Sequence, residues 1–147
     1  MNSALTFTGS PYTSFMHETK VTLSNGIELH VEIGGQPEHP VIMLIMGLGA
    51  QLLFWPDFFC KSLIDQGYRV IRFDNRDIGL SSKIRHSGPR LNTFKLMGRF
   101  ALGLENQGAP YNLYDMAEDA ALLIDHLELD NVSVLGASMG GMIAQIL

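Results

Sequence analysis

At 147 residues, 46% hydrophobic and 17% charged, the chain has the apolar material for one globular unit with a core. Its net charge of −5 excludes a general attraction to nucleic acid. Cys60 is the only cysteine, which excludes an internal disulfide and suits a reducing compartment.

Residues 1–13 have neither the basic start nor the apolar run of a secretory signal. Residues 41–55 are the most hydrophobic stretch. They are broken by Gly47, Gly49 and Gln51 and are shorter than the roughly 20 residues a membrane-spanning helix needs. A cytoplasmic location without membrane contact is therefore expected.

The first elements read as two strands, residues 20–23 and 27–33. Ile27, Leu29, Val31 and Ile33 alternate with polar neighbours, and Asn25-Gly26 between the strands signals a tight hairpin turn. Residues 41–46 are apolar on both faces, as in a central parallel strand covered by helices. Pro56 opens a helix that carries Phe58, Phe59, Leu63 and Ile64, and Gly67 stands where its cap is expected. Cys60, within that stretch, reads as core.

Residues 68–73 form the next strand and end in the polar loop Asp74-Asn75-Arg76-Asp77. A helix over 113–127 places Met116, Ala120, Leu123, Ile124 and Leu127 on one face. Residues 131–135 give a further buried strand, and a helix starts at Met139. This order predicts an α/β fold: a mostly parallel sheet with helices on both faces and an N-terminal hairpin. Residues 1–19 read as an extension and 20–147 as one domain. Residues 78–104 hold five of the ten Lys and Arg (Lys83, Arg85, Arg90, Lys95, Arg99) and no acid. They read as a solvated connection or as a contact for an anionic substrate or partner.

The chemistry concentrates at Gly136-Ala137-Ser138-Met139-Gly140. A Gly-x-Ser-x-Gly pentapeptide alone is weak evidence, but here a buried strand ends just before the serine and a helix starts just after it. That arrangement projects the Ser138 hydroxyl outward at the positive end of a helix, while Gly136 and Gly140 allow close packing. The alternative is a glycine turn that only packs tightly. Phosphate-binding loops fit less well, because neither Gly-x-Gly-x-x-Gly spacing nor a following Lys-Ser or Lys-Thr is present.

From about residue 21 onward the chain resembles the α/β-hydrolase fold, and within it the small esterases related to aclacinomycin methylesterase. The resemblance rests on three motifs: Met46-Gly47-Leu48-Gly49, Arg72 to Ser81, and Gly136 to Gln145; residues 111–119 also match. It implies Ser138 as nucleophile, an oxyanion hole from the backbone N–H groups of Leu48 and Met139, and no metal or organic cofactor. Asp74, Arg76 and Asp77 read as partners that fix loops.

In this fold the acid and the histidine of the triad follow the serine. Only nine residues follow Ser138, none of them His, Asp or Glu. His17, His30, His39, His86 and His126 all precede it and read as ordinary surface residues. The chain is therefore expected to be the N-terminal half of a serine esterase acting on a small-molecule ester. Alone it should be inactive and left with an apolar sheet edge prone to self-association. A cofactor-free perhydrolase, an amidase of the same fold and a non-catalytic assembly half are the alternatives.

Overall fold

The computed structural model describes residues 15–84 and 110–147. Four of the five basic residues of the 78–104 stretch, together with His86 and most of the N-terminal extension, lie outside the described residues.

Five strands, β1 (Met16–Thr22), β2 (Glu28–Gly34), β3 (Val41–Ile45), β4 (Arg69–Phe73) and β5 (Ser133–Gly136), form one mixed sheet in the order β1-β2-β4-β3-β5. The hairpin β1–β2 is antiparallel and joins β4 antiparallel, while β3 runs parallel to both β4 and β5. Asn25-Gly26 forms the expected turn, with Gly26 at φ 84°. Strand β1 begins at Met16, ahead of the expected residue 20, because Met16 pairs with Gly34 and is itself buried.

Helix α1 (Asp57–Asp65) ends as a Schellman motif. The amide of Gly67, at φ 86°, donates to the Ile64 carbonyl, and that of Tyr68 donates to Leu63. Helix α2 (Leu113–His126) starts in a capping box. The Asn112 side chain accepts from the amides of Tyr114 and Asp115, and Asp115 accepts from the Asn112 amide. Helix α3 (Met139–Ile146) follows β5 directly.

Helices α2 and α3 cover one face of the sheet, where Leu29, Val31, Met43, Ile45, Ile71 and Phe73 meet Met116, Ala120, Leu123 and Ile143. Helix α1 covers the other, where Leu44, Val70, Met16 and Cys60 pack with partly buried Ile64 and Leu63. Buried Cys60 is thus core, and burial raises its thiol pKa. Among the described residues, no helix is long and apolar enough to cross a membrane.

The alternation in β2 does not leave a wet face. His30 and Glu32, on the side opposite Leu29 and Val31, are buried as well. Their partners are Glu18 of β1 and Asp74 at the end of β4 for His30, and Arg72 of β4 for Glu32. Arg72, fully buried, holds Glu32 through Nε (2.9 Å) and Nη2 (2.6 Å), and reaches Asp57 at 2.8 Å. A charged residue in an apolar central strand is tolerated only when paired in this way.

Candidate active site at the strand–helix turn

Strand β5 delivers the chain to Ser138, which adopts φ 54°, ψ −121°, a conformation L-residues avoid, before α3 begins at Met139. Neighbouring backbone holds this strained residue in place. The amide of Ala137 donates to the Ile45 carbonyl at 3.0 Å, those of Gly140 and Gly141 donate to Ala137 and Ser138 at 2.9 Å, and Ser138 remains exposed.

The glycines explain how the turn closes. A methyl group on Gly136 would overlap the Gly140 carbonyl, and one on Gly140 would overlap the Ile45 carbonyl. On Gly47 it would stand 3.0 Å from Ser138 Cβ and 3.5 Å from its Oγ. The loop after β3 therefore lies against the serine, and Leu48 is the next residue along it. Among the described residues, no hydrogen bond engages the amide of Leu48 or of Met139. Ser138, Met139 and the Gly47-Leu48 turn are thus brought together at the C-terminal edge of the parallel strands, where sites in such sheets collect.

Asp74, Arg76 and Asp77 do fix loops. The Asp74 carboxylate accepts from the amides of Leu52 (2.7 Å) and Leu80 (3.0 Å), and its carbonyl accepts from the Ser81 hydroxyl at 2.6 Å. Arg76 grips Asp119 of α2 with two bonds of 2.6 Å and lies 5.2 Å over the Tyr111 ring. Asp77 accepts from the Ile84 amide at 2.6 Å. Tyr111 is pushed well above the ordinary phenol value by burial and by its hydrogen bond to Asp77.

One histidine departs from the sequence reading. His30 is not an ordinary surface residue but lies buried between two carboxylates, Nδ1 at 3.0 Å from Asp74 and Nε2 at 2.9 Å from Glu18. Burial alone would lower its pKa. The hydrogen bonds and charges of Asp74 and Glu18 outweigh burial and raise it. Asp74 shows the converse: burial would raise its pKa, but His30 and the Leu52 and Leu80 amides hold it low. No described histidine is hydrogen-bonded to Ser138. Sequence reasoning also passed over Asn75, 2% exposed, whose side-chain amide donates to the Met46 carbonyl at 3.0 Å. Among the described residues, no group of three or more His, Cys, Asp or Glu side chains is placed to hold a metal ion.

A sheet covered on both faces, with a strained serine between a parallel strand and a helix, defines an α/β hydrolase. The chain belongs to that family, whose model for the alpha/beta hydrolase fold matches residues 40–147. Among individual relatives it is similar to the rhodomycin D methylesterase DnrP of Streptomyces peucetius, 30% identical over 129 residues that cover 88% of this chain and 37% of that protein. A solved hydrolase from Pseudomonas aeruginosa superposes with a TM-score of 0.66 at 27% identity, over 87% of this chain and 39% of the other. The enol-lactonase of Burkholderia xenovorans does so with a TM-score of 0.63 at 26% identity, over 85% and 39%. The chain therefore spans little more than a third of the length of these relatives.

Proposed function

We propose that this chain carries the nucleophile and the oxyanion side of an esterase-type serine hydrolase. The observation that supports it most is the exposed Ser138 in a strained turn, flanked by backbone amides without acceptors among the described residues. Ser138 Oγ attacks an ester carbonyl carbon and gives up its proton to a histidine base. The tetrahedral oxyanion is held by the Leu48 and Met139 amides, the alcohol leaves with a proton, and water releases the acyl group from Ser138. The methylesterase and lactonase relatives support a small-molecule ester as substrate.

The base and its orienting acid come from outside residues 1–147. No described histidine bonds Ser138, and the relatives are more than twice as long. The test joins two measurements. DNA downstream of codon 147 is expected to continue in frame through an acid and then a histidine. Protein expressed from that longer frame is expected to hydrolyse p-nitrophenyl acetate in a Ser138-dependent way, whereas residues 1–147 alone do not. Ser138-dependent turnover by residues 1–147, or a longer protein whose Ser138→Ala variant turns over normally, would contradict the proposal.

A further inference from the structure

The segment from Met46 to Leu52 is tied at both ends to two consecutive residues of another loop. At its start, the buried Asn75 side chain donates to the Met46 carbonyl at 3.0 Å. At its end, the Leu52 amide donates to Asp74 Oδ1 at 2.7 Å. Between these ties the chain makes one internal turn, with the Ala50 amide donating to the Gly47 carbonyl at 3.3 Å and Gly49 at φ 73°.

The geometry points to Asn75, seconded by Asp74, as the positioning residue that aims the Leu48 amide at the oxyanion. This deepens the reading of Ser138 as nucleophile and rests on it. The Met46 carbonyl and the Gly47 amide share one rigid peptide plane, and the next plane carries the Leu48 N–H. Only the two dihedral angles of Gly47 separate them, and glycine supplies no stiffness of its own. Fixing the Met46 oxygen therefore fixes the first of the two planes. The same carbonyl is hemmed in on its other side, since a methyl on Gly140 would come within 2.9 Å of it. Asn75 thus locks one peptide plane between itself and the helix that follows Ser138, and Asp74 prevents the far end of the loop from swinging away.

Asn75 touches neither substrate nor reacting atoms in this scheme, so its signature is a transition-state effect without a ground-state one. In the catalytically active longer protein, Asn75→Asp keeps the size of the side chain but removes the donor. It is expected to lower kcat about 10- to 100-fold, the cost of a displacement of about 1 Å at a reacting centre. KM should stay within about threefold, because substrate binding is not what the amide supplies. The inhibition constant of phenylboronic acid, which forms a tetrahedral anion on the serine, should weaken by the same factor as kcat. Unchanged kcat, or a rise in KM alone, would overturn the proposal.

Ser138→Ala, assayed beside it, separates the two claims. Turnover that survives in Ser138→Ala removes the nucleophile reading itself. Turnover lost in Ser138→Ala but intact in Asn75→Asp removes only the positioning role. A wild-type measurement covers the case in which Asn75→Asp does not fold. Amide relaxation of residues 47–51 should give order parameters near about 0.85, as in rigid backbone, whereas values under about 0.6 would overturn the clamp.

Discussion

The His30 imidazole and the Asp74 carboxylate meet at 3.0 Å with both side chains almost fully buried, and the same carboxylate accepts from the amides of Leu52 and Leu80 in two different loops. Glu18 closes the other side of the ring at 2.9 Å, so a protonated His30 donates from both nitrogens. The pair is therefore a charged strut running from the hairpin to the site.

Its pH dependence follows from the shift directions. The His30 pKa is raised above 6.5, so its contribution to stability is complete below pH 6.5 and is lost as pH rises through the raised value. The Asp74 pKa is lowered below 3.8, so its contribution is present above pH 3.8 and is lost as pH falls through the lowered value. Between these limits both are charged. The stability advantage of wild type over His30→Gln, measured by thermal melting, should be largest at pH 4 to 6.5 and shrink in alkali. An advantage that grew above pH 8 would contradict the assignment.

Arg72 is fully buried with Glu32, and its second carboxylate, Asp57, is half-exposed. Glu32→Ala removes the enclosed partner of a charge that cannot reach water, and should cost about 3 kcal/mol or more in urea unfolding. Replacing both members, as Glu32→Leu with Arg72→Met, should recover most of that loss, because apolar pairs of similar volume fill such sites well. A cost below about 1 kcal/mol for Glu32→Ala would show that Asp57 alone satisfies the guanidinium.

The two glycines that open α3 should respond differently. Gly140→Ala gains helix propensity of up to about 1 kcal/mol but drives its methyl into the Ile45 carbonyl, so the overlap decides and the variant is destabilised. Gly140→Val is worse still and should abolish esterase activity without removing any reacting group. At Gly141 the nearest contact of an added methyl is 3.3 Å, from the Gly136 carbonyl, so Gly141→Ala should melt within a few degrees of wild type. Equal effects at the two positions would mean that the elbow does not pack as described.

Among the described strands, β5 pairs only with β3, and Leu135 on it is 42% exposed. Residues 1–147 alone should self-associate through this edge, and Leu135→Lys should shift them toward monomer on size-exclusion chromatography. A monomeric wild-type chain at micromolar concentration would contradict this.

The strand at 41–46, the helix over 113–127 and the turn at Ser138 were legible because each follows from a local pattern: an apolar run, a face of 3.6-residue period, and flanking glycines. The polar side of the site was not. Alternation in β2 correctly buried Leu29 and Val31 but says nothing of what covers the opposite face, where His30 and Glu32 find partners 44 and 40 residues away. The available signal was Arg72, a charge inside an apolar strand, which demands a buried acid. Asn75 was invisible for another reason: its partner is a backbone carbonyl, which leaves no side-chain signature.

The most direct test of the nucleophile assignment is covalent labelling of the proposed longer protein with a fluorophosphonate, followed by peptide mass mapping. The account predicts one adduct, on the peptide containing Ser138, and its disappearance in Ser138→Ala with the melting temperature preserved. An adduct on a different residue, or labelling that persists undiminished in the alanine variant, would contradict it.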